Sequence, residues 1–212
     1  MADPVPSDSL RAFWEAATQR YSQALPGSPA ERYLAARGIE PETMTRFRLG
    51  YVAEPMPGHQ HLQGRLAIPY LAPDGSAVTM RFRRLDGGQE RKYLGMAGEP
   101  PRLFNVASLH IPVTGMFICE GELDTITVAQ LNYPVVGVPG ATSWNPIWRR
   151  LFVQYTVHVL HDADDAGRKL AETICNELDN ARAIQVNPDV NQYLIDHGKE
   201  ALVEKITGRR PN

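Results

Sequence analysis

The sequence predicts an α/β protein built in two parts, and three observations carry that prediction. After about Thr114, short apolar runs alternate with amphipathic helical stretches, the rhythm of a mostly parallel sheet with helices on its faces. Before that point, helical periodicity gives way to strand-like runs around a Pro73-Asp74-Gly75 turn. The 212 residues, 43% of them hydrophobic, leave room for one or two cores and no more. The boundary falls within Pro100–Thr114, which gives a helical and β-rich part over 1–110 and an alternating part over 111–212.

Each element has its own signal. Ser7 and Asp8 offer an N-cap to a first helix in which Leu10, Phe13, Trp14, Ala17 and Tyr21 recur at helical spacing. A second helix begins at Ser28-Pro29, with proline in its first turn, and stops at Arg37-Gly38. Pro41–Phe47 makes a short third. Leu66–Leu71 and Ala77–Arg84 flank the turn as strands, and Arg91–Leu94 suits a third. In the second part, strands are expected at Met116–Cys119, Pro134–Val138, Thr156–Leu160 and Ala183–Val186. Helices are expected at Leu123–Leu131 and Asp165–Leu178, with two more closing the chain.

Composition excludes several classes. Lys and Arg number 22 against 24 Asp and Glu, so the chain does not coat nucleic acid through bulk positive charge, although a local basic face remains open. Cys119 and Cys175 are too few for a disulfide scaffold or a four-cysteine zinc ribbon. The histidines, among them His59, His61, His158 and His161, lack metal spacing, so no zinc is expected. Cys119 reads as a buried strand residue, and Trp14, Trp144 and Trp148 as core. The uncharged stretch Thr125–Trp148 is interrupted by Pro134, Pro139 and Pro146, and the first residues carry no signal pattern. A cytoplasmic protein without membrane association is expected. No Gly-x-x-x-x-Gly-Lys-Ser/Thr loop exists, so no helicase motor is encoded here.

The chemistry lies in acids at two strand ends. In Cys119-Glu120-Gly121-Glu122-Leu123-Asp124, Glu120 sits where a strand stops, Gly121 permits a tight exit and Asp124 lies one turn into the next helix. In His161-Asp162-Ala163-Asp164-Asp165, Asp162 and Asp164 are two apart and point the same way in extended chain. Ligands of open parallel sheets gather at such ends. Converging carboxylates repel unless a hard divalent cation neutralises them. Asp164 or Asp165 also suits an N-cap, and Glu122 a first-turn partner of the helix dipole. Acids at both strand ends of one alternating domain favour the shared metal site.

Glu120-Gly121-Glu122-Leu123-Asp124 and Asp162-Ala163-Asp164-Asp165-Ala166-Gly167-Arg168 resemble the two signatures of the Toprim fold. Arg32-Tyr33-Leu34 with Arg37-Gly38-Ile39, Gly64-Arg65-Leu66-Ala67-Ile68-Pro69-Tyr70, Lys92-Tyr93-Leu94-Gly95, Leu103-Phe104-Asn105 and Pro188-Asp189-Val190-Asn191 narrow the resemblance to catalytic cores of bacterial and phage DNA primases, in order from about Pro29 to Ile206. The resemblance implies synthesis of RNA primers on a single-stranded DNA template from ribonucleoside triphosphates, with Mg2+ or Mn2+. It implies that Glu120 is the catalytic glutamate, as general base or metal ligand, Asp162 and Asp164 catalytic metal ligands, and Asp124 and Asp189 further metal acids, while Asn191 stands where a further acid is expected. Asp165 is expected to cap its helix.

Basic residues face the same task. Arg81 and Arg83 share one face of their strand and Arg84 takes the other, with Arg91 and Lys92 following and Tyr93 available for stacking. Alone, such a cluster also suits a solvated edge strand protected by charge. Beside the resemblance, nucleic-acid or nucleotide contact is expected for Arg83 and Lys92, then for Arg81, Arg65 and Tyr93. Related primases carry a zinc ribbon and helicase-linked regions that this sequence lacks, so weak or unselective initiation is expected unless a replicative helicase or a separate zinc-domain protein assists. A Toprim nuclease or topoisomerase-like enzyme and a non-catalytic single-strand-binding accessory subunit are the alternatives.

Overall fold

The computed structural model describes residues 7–86, 92–96 and 98–209, which divide into two units, Met1–Pro100 and Pro101–Asn212. In the first unit, α1 (Asp8–Gln23) starts where Ser7 Oγ accepts the Leu10 amide proton, and its apolar stripe buries Trp14, Ala17 and Tyr21. Ser28 caps α2 (Pro29–Ala36), and α3 (Pro41–Arg46) follows. An antiparallel sheet then runs β1 (Gly50–Tyr51), β2 (Leu66–Leu71), β3 (Ala77–Arg83) and β4 (Tyr93–Leu94), in that spatial order. The third expected strand is thus Tyr93–Leu94, and Arg91 lies outside the described residues.

Trp14, Tyr21, Leu62, Met80 and Phe82 pack between α1 and the sheet. His59, just before a short 3-10 turn, sits inside this core at 1% exposure. Its Nδ1 is 2.8 Å from the Tyr21 hydroxyl, its ring stacks on Trp14, and Phe82 meets it edge-on.

The second unit is the alternating part. Its elements are β5 (Gly115–Glu120), α4 (Glu122–Gln130), β6 (Val135–Val138), β7 (Thr156–Asp162), α5 (Asp165–Glu177), β8 (Ala181–Val186) and α6 (Val190–Thr207). The four strands are parallel, in the order β6-β5-β7-β8. Met116, Ile118, Val157 and Val159 face Leu170, Ala171 and Ile174 of α5 on one side of the sheet. Helices α4 and α6 pack together and against the strands elsewhere. The two expected closing helices appear as α6 broken at Gly198, where φ is 84°.

Strand order decides where a ligand goes. The connection leaving β5 runs outward to β6, and the one leaving β7 runs the opposite way to β8. The carboxyl ends of β5 and β7 therefore flank a topological switch point, the crevice in which open α/β sheets hold their ligands.

Candidate metal-dependent active site

Register brings the two acidic segments side by side. Cys119 pairs with Leu160, so Glu120 and Asp162 close neighbouring strands. Gly121 leaves β5 with φ of 83° and serves as the N-cap of α4, a backbone shape that side-chain-bearing residues resist. Glu120 is half-buried. The Ala141 amide donates to it, while its Oε2 is buried without a hydrogen-bond partner. Burial pushes its carboxyl above the usual glutamate range, and the nearby Asp164 charge pushes it further.

Asp164 caps α5, its Oδ1 accepting from the Gly167 amide at 2.7 Å. This corrects the expectation that Asp165 is the cap. The side chain that reaches the third helical amide belongs to the residue just before the helix, and Asp165, already helical, pairs instead with Arg168. Asp162 lies against the same turn. A methyl group added at Gly167 would stand 2.8 Å from the Asp162 carbonyl oxygen and 2.9 Å from its nitrogen.

Asp124 projects from the first turn of α4, and its Oδ1 accepts from the Asn191 amide at 2.8 Å. Asn191, 1% exposed, donates in turn to Thr127 Oγ1 at 2.9 Å. The thiol of Cys119 is pushed well up by complete burial and then by the charges of Asp124 and Asp162. Asp189 caps α6 through the Gln192 amide at 2.6 Å. Its neighbour Pro188 accepts from the Ala163 amide at 3.2 Å, which seats the Asp162–Asp164 segment beside the start of α6.

The charge of Asp164 thus acts on Glu120, those of Asp124 and Asp162 act on Cys119, and a backbone bond seats the residue before Asp189 against Ala163. Among the described residues, no three His, Cys, Asp or Glu side chains stand close enough to form a ready-made cage. The donor set nevertheless suits a hard cation: all its ligands are oxygens, one of them an orphaned buried carboxylate oxygen, and Mg2+ takes only one or two carboxylates and fills its shell with water. The amides of Ala141 and Asn191 were not foreseen as partners, because each meets its acid only through the fold.

The basic residues of the first unit are placed unevenly. Arg83, at 5% exposure, lies against two aromatic rings, its guanidinium carbon 5.4 Å from the Tyr33 ring centre and 4.8 Å from that of Tyr93. It also donates to the Tyr93 hydroxyl. Arg81 lies over the same ring at 5.0 Å. Arg65 is buried just before β2, and Lys92 is exposed, its carbonyl accepting from the Arg84 amide. Tyr33 was missed, since nothing local ties it to Arg83.

Residues 117–194 match the Toprim-like family model. A DnaG primase catalytic domain solved with single-stranded DNA superposes with a TM-score of 0.76 at 20% identity, over 96% of this chain and 79% of that one. The DNA primase of Aquifex aeolicus is 24% identical over 82% of this chain, which spans 43% of that protein's length. Sheet order, strand-end acids and these matches define a chain with a Toprim-like segment over residues 117–194 and the fold of a primase catalytic core. The Gene 57 protein of Mycobacterium phage D29 is 42% identical across 68% of this chain and 99% of its own length. The chain belongs to the family of that phage protein. No helix among the described residues is long and apolar enough to cross a membrane.

Proposed function

We propose that this chain is the catalytic core of a DNA primase, joining ribonucleotides on a single-stranded DNA template in the cytoplasm of a bacterial host. One observation carries the reading: Glu120, with a raised pKa and an orphaned buried oxygen, stands beside Asp164 at the switch point of a Toprim sheet. In the reaction a 3′ oxygen forms a bond to the α-phosphorus of a ribonucleoside triphosphate, the bond to pyrophosphate breaks, and the hydroxyl proton must go to a base. Glu120 suits that base, because burial and Asp164 raise its affinity for a proton. Glu120, Asp162 and Asp164, with Asp124 and Asp189 in support, would hold Mg2+ or Mn2+, which would supply charge neutralisation at the phosphates. Lys92 and Arg81 offer charge to template and triphosphate, with Tyr93, whose ring both Arg81 and Arg83 engage, beside them. Arg83 engages the ring and hydroxyl of Tyr93, and Arg65 adds buried positive charge just before β2. A replicative helicase or a separate zinc-domain protein supplies template selection.

Gel assays of primer synthesis on single-stranded DNA with ribonucleotides and Mg2+ or Mn2+ test this. Wild type is expected to extend, and Glu120→Gln and Asp162→Asn to lose at least about a hundredfold in rate. Absence of wild-type product with every candidate partner, or unchanged product from both variants, rejects the assignment.

A further inference from the structure

At the amino ends of β5 and β7, opposite the acids, the sheet carries a second feature. Phe117, His158 and Arg182 form a row across β5, β7 and β8, paired strand to strand. Phe117 meets both Tyr133 and His158 edge-on, at 5.7 and 5.3 Å between ring centres. The Arg182 guanidinium donates through Nε to His158 Nδ1 at 3.2 Å, which makes that nitrogen an acceptor. Burial and Arg182 hold the His158 pKa below its usual value, so the ring stays neutral and adds no charge.

Beside this row opens a groove of about 660 Å³, closed on its far side by Val203 and Thr207 of α6 and by Arg209. Its walls are mainly apolar, its charged groups are Arg182 and Arg209, and no carboxylate lines it. Among the described residues neither arginine has a carboxylate partner. Strand β8, which carries Arg182, is an edge of its sheet with Arg182, Ala183 and Gln185 exposed. We propose that this groove is a docking site for an acidic, extended peptide segment of a partner protein, its carboxylates on Arg182 and Arg209 and an aliphatic or aromatic side chain against Tyr133 and Val203.

Charge complementarity selects the acidic partner, since two guanidinium groups without acids attract carboxylates and repel basic segments. Nucleic acid fits less well. Base stacking needs an open aromatic face, whereas Phe117 is 6% exposed and locked edge-on by its neighbours, and backbone tracking needs a longer row of cations. An extended peptide also has the β8 edge, which no strand among the described residues pairs with.

The test is fluorescence anisotropy on the whole protein with a labelled peptide alternating aspartate and leucine. Comparison probes are the same peptide with lysine for aspartate, and labelled oligothymidylate. Binding of the acidic peptide is expected to weaken about tenfold in Arg182→Glu and in Arg209→Glu, and to persist in Arg182→Lys, with unfolding temperatures unchanged. The proposal is overturned if no acidic peptide binds wild type, if the lysine peptide binds equally, or if both charge reversals leave binding intact. It is equally overturned if Arg182→Glu abolishes oligothymidylate binding while sparing the peptide. The groove lies away from the strand-end acids, so failure of primer synthesis and failure of peptide binding are independent results.

Discussion

Gly167→Ala probes the site through packing alone, without touching an acid. The added methyl would sit 2.8 Å from the Asp162 carbonyl oxygen, about 0.6 Å inside the 3.4 Å at which ordinary contact begins. Both the oxygen and the 2.9 Å nitrogen are backbone atoms at the end of β7, so no flexible side chain can yield. Overpacking of this kind costs about 1–3 kcal/mol. Alanine in place of glycine in a helix returns about 0.5–1 kcal/mol, which leaves a net loss of about 1–2 kcal/mol. That corresponds to a fall of about 2–8 °C in Tm. Asp162 must move by a similar fraction of an ångström, and a misplacement of about 1 Å costs roughly a hundredfold, so a rate loss of roughly tenfold is expected. Gly115→Ala is the control: its methyl meets nothing closer than the Thr156 carbonyl at 3.9 Å. Differential scanning calorimetry and primer-synthesis rates read both effects. If Gly167→Ala keeps wild-type Tm and rate, or Gly115→Ala falls as far, contact between α5 and Asp162 does not set the site.

Two pH-linked outcomes follow from the same physics. In the folded protein the Glu120 carboxyl binds its proton more tightly than when unfolded, so its contribution to stability falls as pH rises above the ordinary value of 4.5. Glu120→Gln should therefore raise Tm at neutral pH in EDTA while abolishing synthesis, with the gain vanishing below about pH 4.5; equal Tm at neutral pH contradicts it. His59 has the opposite sense, because burial lowers its pKa from 6.5 and the unfolded chain takes up the proton first as pH falls. Stability should drop as pH falls below 6.5, and His59→Phe should remove part of that slope in denaturant titrations; an unchanged slope rejects buried neutral His59 as its source.

What the sequence disclosed, and what it hid, depends on how far apart the partners lie. Strand β5 was legible because a strand buried on both faces reads as one apolar run. Its neighbour β7 runs on to Asp162, past the last apolar residue, because His161 and Asp162 pair with Gln185 and Val186, and polar strand ends look like loop until the partner is known. Strand β1, two residues long, exists only through its pairing with β2. The alternation that placed Arg81 and Arg83 on one face could not say what that face meets, and the answer is Tyr33, from a helix far upstream. Likewise the bond from Asn191 to Asp124 joins residues 67 apart.

The acids show why a structural and a chemical reading of one residue need not compete. Asp164 and Asp189 each commit one oxygen to a helix cap, and Asp124 commits one to the Asn191 amide. Each such bond fixes a carboxylate's direction, and a carboxylate held in one direction gives up less entropy when it takes a cation. Glu120 is held differently, by a single amide from Ala141 in a partly buried setting that leaves Oε2 unmet. On the proposed reading the hydrogen-bonded acids would serve as the prepared ligands, while Glu120 is the group whose proton affinity burial and Asp164 raise.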